Sequence, residues 1–171
     1  MILRVGTTGD YMPFSWYKKN TQEYIGFDID IAKHFAALNG FKIQFIRTTW
    51  AALSYDLITK KFDIAMGGIS VTAQRKTLFS FSNPIITDKK VVVIRCVDKE
   101  KLKFYNDINH NSVKLIENIG GTNEQCAKTY FKQSSLTLFS DNRKIFDEIL
   151  NKNADAMITD KIEADYQVRI N

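Results

Sequence analysis

The stretch Val113-Lys114-Leu115-Ile116-Glu117-Asn118-Ile119-Gly120-Gly121-Thr122-Asn123-Glu124 decides how this chain is read. Val113 to Ile116 has the apolar character of a strand, the paired glycines allow a tight turn, and a helix is expected from Thr122 to Lys132. The first N–H groups of a helix lack partners inside it. This turn, with the Thr122 hydroxyl and the Asn123 amide beside it, is therefore suited to holding an anion. An ordinary, silent strand-to-helix turn is the other reading of the same residues. Further along, Thr159-Asp160-Lys161-Ile162-Glu163 again follows an apolar strand, Ala154 to Ile158. An anion cradle and carboxylates at strand ends of one α/β unit point to a small acidic metabolite as ligand.

Working outward, strands are expected at Leu3 to Thr7, Lys42 to Ile46, Asp63 to Met66, Val91 to Arg95 and Leu136 to Phe139. Phe27 to Leu38 carries apolar residues at helical spacing and stops at Asn39-Gly40. Trp50 to Lys60 and Lys161 to Arg169 read as further helices, and Asp141 or Asn142 caps another that runs to Asn151. Strands alternating with helices imply an α/β protein with largely parallel sheets. Lys60-Lys61-Phe62-Asp63-Ile64-Ala65 and Asn151-Lys152-Asn153-Ala154-Asp155-Ala156 open the last strand of two similar halves. The reading is of two lobes, 1–95 and 96–171, with a polar segment from Val97 to Asn111 after the junction strand. Such sheets bind ligands beyond the carboxyl ends of their strands, and two lobes face each other across a cleft.

The chain has 171 residues, 44% of them hydrophobic and 25% charged, as in a soluble globular protein. No run is long enough for a membrane helix, and Met1-Ile2-Leu3 leads straight into a strand, so no signal peptide is expected within it. The net charge of +5 is scattered rather than gathered in a basic tract, which argues against nucleic-acid binding. Cys96 and Cys126 are spaced neither as a metal knuckle nor as a disulfide framework; a single disulfide or two buried thiols both fit.

Four groups of residues could carry chemistry. In Gly67-Gly68-Ile69-Ser70-Val71-Thr72-Ala73-Gln74-Arg75, Arg75 follows a glycine loop at a strand end, and its planar fork matches a carboxylate. A solvent-facing arginine is the alternative. Tyr11, Phe14 and Trp16, with Trp50 elsewhere, either wall an apolar pocket or plug the end of a sheet; for Phe14 and Trp16 the residues alone favour the plug. The glycine turn with Thr122 and Asn123 is the third group. The fourth is Asp160 with Glu163, which share a helix face. In a dry pocket one of two such carboxylates keeps its proton and serves as a general acid. The residues alone favour a capping box, Asp160 as N-cap and Glu163 as its reciprocal partner. His34 and His110 have no metal partners at suitable spacing.

Leu3-Arg4-Val5-Gly6-Thr7-Thr8-Gly9-Asp10-Tyr11-Met12-Pro13-Phe14-Ser15, Gly26-Phe27-Asp28-Ile29-Asp30 and Phe62-Asp63-Ile64-Ala65-Met66-Gly67-Gly68-Ile69-Ser70 resemble the periplasmic type II solute-binding fold that captures polar amino acids. Within that superfamily, Thr7-Thr8-Gly9-Asp10-Tyr11, Gly120-Gly121-Thr122-Asn123-Glu124 and Thr159-Asp160-Lys161-Ile162-Glu163-Ala164 resemble the cyclohexadienyl dehydratases. The resemblance covers nearly the whole chain. It implies a lyase that turns prephenate into phenylpyruvate, or L-arogenate into L-phenylalanine, in the periplasm and without a metal or organic cofactor.

The same resemblance implies roles. Glu163 is the expected general acid; Arg75, Thr122 and Asn123 hold carboxylates, with Lys90 as a further catalytic cation. Tyr11, Phe14 and Trp50 flank the ring, Gly68 and Ser70 belong to the Arg75 loop, and Asp160 takes an amino group. The alternative is a non-catalytic amino-acid-binding protein serving an ABC permease. Members of the superfamily run on past Ile170-Asn171 and recross to the first lobe. The expected architecture is thus a two-lobed type II fold whose lobe one lacks its C-terminal return segment. The exposed apolar surface, worth about 25 cal/mol per Å², makes a homo-oligomer one way to cover it.

Overall fold

The computed structural model describes residues 1–170. The chain forms two units, Met1–Thr87 and a second from Asp88 onward. In the first, the elements in order are β1 (Ile2–Thr7), β2 (Asp10–Tyr11), β3 (Ser15–Lys18), β4 (Glu23–Ile25), α1 (Phe27–Leu38), β5 (Lys42–Arg47), α2 (Leu53–Ile58), β6 (Ile64–Ala65) and α3 (Ala73–Lys76). β1 lies between β5 and β6 and is parallel to both. α1 buries Ile29, Ala32 and Ala36, the three- and four-residue spacing of an amphipathic helix. Gly6 on β1 admits the buried Phe62 ring; a Cβ there would sit 2.4 Å from it.

Two expectations change in this unit. The aromatic segment after β1 is a three-stranded antiparallel sheet, β2-β3-β4, rather than a turn alone. Strands of two to four residues are too short to show a period-two pattern. The helix expected from Trp50 begins at Leu53, because Thr49 closes a turn first: its hydroxyl accepts the Ala52 N–H at 3.2 Å and its carbonyl the Leu53 N–H at 2.9 Å.

The second unit contains β7 (Lys90–Ile94), α4 (Tyr105–Ile108), β8 (Lys114–Asn118), α5 (Thr122–Tyr130), β9 (Ser135–Phe139), α6 (Ile145–Leu150), β10 (Ala156–Asp160) and α7 (Lys161–Ile170). Its sheet runs β7-β10-β8-β9; β8 is parallel to β9 and β10, whereas β7 is antiparallel to β10. Strand alternation builds a core on each face. Leu115, Ala156, Ile158, Val92 and Ile94 join Ala127 in one cluster, while Ile116, Met157 and Val93 join Ile145, Phe146 and Ile149 in the other.

The strand Val91 to Arg95, placed at the end of lobe one from sequence, therefore pairs within the second unit and moves the division to Thr87/Asp88. The segment from Val97 to Asn111 is not a plain polar connection: it carries α4 and contributes buried Leu102 and Ile108 to the core. The helix ahead of Asn151 is split into a 3-10 turn, Asn142–Lys144, and α6.

The similarity between the two halves is physical. Lys60 and Lys152 both turn the chain with positive φ, 59° and 64°. Just after them, Asp63 accepts the Arg4 N–H at 2.8 Å and Asp155 accepts the Lys114 N–H at 2.9 Å, so each aspartate pins the start of a strand. Each also meets an arginine, Arg4 at 2.6 Å and Arg95 at 3.0 Å.

Candidate functional site

In the first unit, the strand ends gather Tyr11, Phe14, Trp50, Gly68, Ser70 and Arg75. Tyr11 stacks on Phe14 with centroids 5.6 Å apart and meets Trp50 edge-on at 5.4 Å. The Trp50 Nε1 donates to Asp10 Oδ1 at 3.1 Å, which fixes the indole plane. Asp28 at the start of α1 accepts the Gly67 and Gly68 N–H groups at 2.9 and 2.7 Å and so shapes the loop that leads to Arg75. Arg75 is buried, its backbone N–H bonded to the Thr72 hydroxyl and its Nη1 to the Ser70 carbonyl at 2.9 Å. Burial pulls its pKa below the usual arginine value, and among the described residues no carboxylate forms an ion pair with it. A desolvated guanidinium in that state favours an incoming anion.

In the second unit, Lys90 is a hub. Its Nζ donates to Thr122 Oγ1 at 2.9 Å and Asn123 Oδ1 at 2.5 Å, and lies 2.9 Å from Asp160 Oδ1. The Asn123 amide reaches Thr159 Oγ1 at 3.4 Å, and the Thr159 hydroxyl donates to the Glu163 carboxyl, which is 1% exposed. Five residues singled out from sequence, Lys90, Thr122, Asn123, Asp160 and Glu163, thus share one network. At the start of α7 the Ile162 N–H is taken by Asp88 at 3.0 Å, and Asp160 pairs with Lys90. The glycine turn is modified too. The Gly120 N–H goes to Glu124 Oε2 at 2.6 Å, and the Thr122 and Asn123 oxygens face a cation.

Glu117 was missed from sequence. It is fully buried on β8, and its Oε1 accepts the Ile158 N–H at 2.6 Å. Burial pushes its carboxyl up to about 8, against the Ile158 N–H and Lys90, with Glu163 and Glu124 adding to the rise. Asp28 stands within the Gly26-Phe27-Asp28-Ile29-Asp30 motif. Nothing in its spacing announces that it receives two backbone N–H groups from a distant loop.

The family profile of the bacterial extracellular solute-binding proteins, family 3, matches residues 3–167. The chain belongs to that family. This solute-binding chain is 39% identical, over 99% of its length, to the cyclohexadienyl dehydratase of Pseudomonas aeruginosa, and it spans 63% of that protein. It superimposes with a TM-score of 0.94 and 39% identity on an ancestral amino-acid-binding protein described as a precursor of cyclohexadienyl dehydratase, covering 99% of this chain and 74% of that one. An ancestral arginine-binding protein bound to arginine matches at TM-score 0.90 and 28% identity, over 99% of this chain and 74% of that one. These likenesses give the chain the type II periplasmic-binding fold.

Proposed function

We propose that this chain carries a cyclohexadienyl dehydratase site, decarboxylating and dehydrating prephenate to phenylpyruvate, L-arogenate to L-phenylalanine, or both. The observation that carries the reading is Glu163: a carboxyl held out of water beside Thr159, in the same network as the Lys90 cation. In this reading, the ring carboxylate leaves as carbon dioxide and its bonding electrons aromatise the ring. The ring hydroxyl departs as water on receiving the Glu163 proton. Glu163 is left as a carboxylate and regains its proton from solvent. Arg75, Lys90, Thr122 and Asn123 hold the substrate carboxylates, and Tyr11, Phe14 and Trp50 flank the ring. Gly68 and Ser70 hold the loop that presents Arg75. Export to the periplasm, as for relatives of this family, is part of the same reading.

The second reading is an amino-acid-binding protein for an ABC permease, with Arg75 on the α-carboxylate and Asp160 on the α-amino group. The arginine-bound relative supports it. Against it stands Lys90, which already occupies Asp160 at 2.9 Å and would have to be displaced by a ligand ammonium. Incubating the protein with prephenate and following phenylpyruvate absorbance in alkali separates the two. Turnover, with no binding heat for arginine or lysine, is expected. Micromolar binding of either amino acid without turnover would install the second reading.

A further inference from the structure

We propose that Glu117 is a positioning residue for Lys90, acting through charge: uncharged, it leaves the Lys90 cluster neutral and open to an anionic substrate; ionised, it turns that cluster negative and shuts the substrate out. The inference rests on the reading above, that Lys90 faces a substrate anion. Three observations support it. The first is position. β8 and β10 are in register at Leu115 and Ala156, and two residues on, the Ile158 N–H is taken by the Glu117 carboxyl. Thr159, the next residue, holds Glu163.

The second is isolation. Glu117 is 0% exposed, and its Oε2 has no hydrogen-bond partner among the described residues. A buried carboxyl left so is far cheaper to keep protonated than charged. Its raised value of about 8 agrees with this.

The third is charge balance around it. The groups facing Glu117 are Lys90 from β7, Glu163 from α7, and Glu124 and the Cys126 thiol from α5. Lys90 is already matched by Asp160 at 2.9 Å, and Glu124 by Lys128 at 2.5 Å. Cys126 is held neutral by burial. A negative charge on Glu117 is therefore a net addition that draws on Lys90 and repels a second anion.

The test compares wild type with Glu117→Gln, which still offers Ile158 an acceptor oxygen but cannot ionise. For prephenate, KM of the wild type should rise about tenfold per pH unit above about pH 8, while KM of Glu117→Gln stays level or rises at least about one unit later. An identical alkaline rise in both proteins overturns the proposal. A ligand-free arm follows the glutamate carboxyl ¹³C and lysine Nζ ¹⁵N signals of the wild type. One carboxyl titrating near pH 8, with the Lys90 signal moving alongside it, is expected. A Glu117 midpoint near the ordinary glutamate value overturns the proposal even if the Gln variant does not fold. If prephenate is not consumed at any pH, the dehydratase reading falls while this spectroscopic arm still decides the role of Glu117.

Discussion

Lys90 and Asp160 stand opposite each other in the antiparallel β7–β10 ladder, and their side chains meet at 2.9 Å. The backbone register thus sets a cation against a carboxylate at the strand end that carries Thr159 and leads into Glu163. The same Nζ reaches two residues of the glycine turn, so a single lysine ties together β7, β10 and α5.

Replacing that lysine separates binding from folding. Lys90→Met leaves Asp160 without its cation in a partly exposed place, a cost of about 1 kcal/mol in urea unfolding. KM for prephenate should rise roughly tenfold or more, with a smaller change in kcat. An unchanged KM would remove Lys90 from the substrate.

Arg75 should behave in the opposite way toward stability. Arg75→Met removes a buried guanidinium that has no carboxylate partner among the described residues, at the loss of one bond to the Ser70 carbonyl. Unfolding free energy is expected to stay within about 1 kcal/mol of wild type or to rise. Binding of phenylpyruvate, followed by calorimetry, should be lost.

Gly68 has φ +72°, and a Cβ there would sit 2.6 Å from the Tyr11 ring and 2.9 Å from Phe14. Gly68→Ala should cost on the order of 2–3 kcal/mol from backbone strain and the displaced ring pair. Near-ultraviolet circular dichroism should report the aromatic disturbance.

Much of this was legible in sequence, for identifiable reasons. The β8–glycine–α5 unit and the paired turns at Lys60 and Lys152 announce themselves through turn residues and apolar runs; Arg75 and Glu163 stand in local motifs, and Lys90 follows only from the family resemblance. Glu117 is announced by neither, because an acidic residue after Val113 to Ile116 reads as the solvated end of a strand. Continuing the period of two would have put it on the face of Leu115, toward the core. The β2-β3-β4 sheet was hidden by strand length, and the Lys90–Asp160 pairing depends on an antiparallel register that neither segment shows locally.

Glu117 also makes stability depend on pH. Its folded value is raised, so its contribution is fully present below about pH 4.5 and is lost as pH climbs through about 8. The loss is on the order of 5 kcal/mol at most, by conversion of the shift. Urea unfolding at pH 6 and pH 9 should therefore differ more for the wild type than for Glu117→Gln. Equal differences would contradict the raised value.

In the proposed reaction, the leaving hydroxyl depends on the proton of Glu163. Single-turnover kinetics with prephenate on Glu163→Gln, alongside circular dichroism that shows the fold retained, is the most direct measurement. Loss of about 10²–10⁴ in the rate of phenylpyruvate formation, with product affinity kept, is the predicted result. A rate within a few-fold of wild type would contradict the assignment.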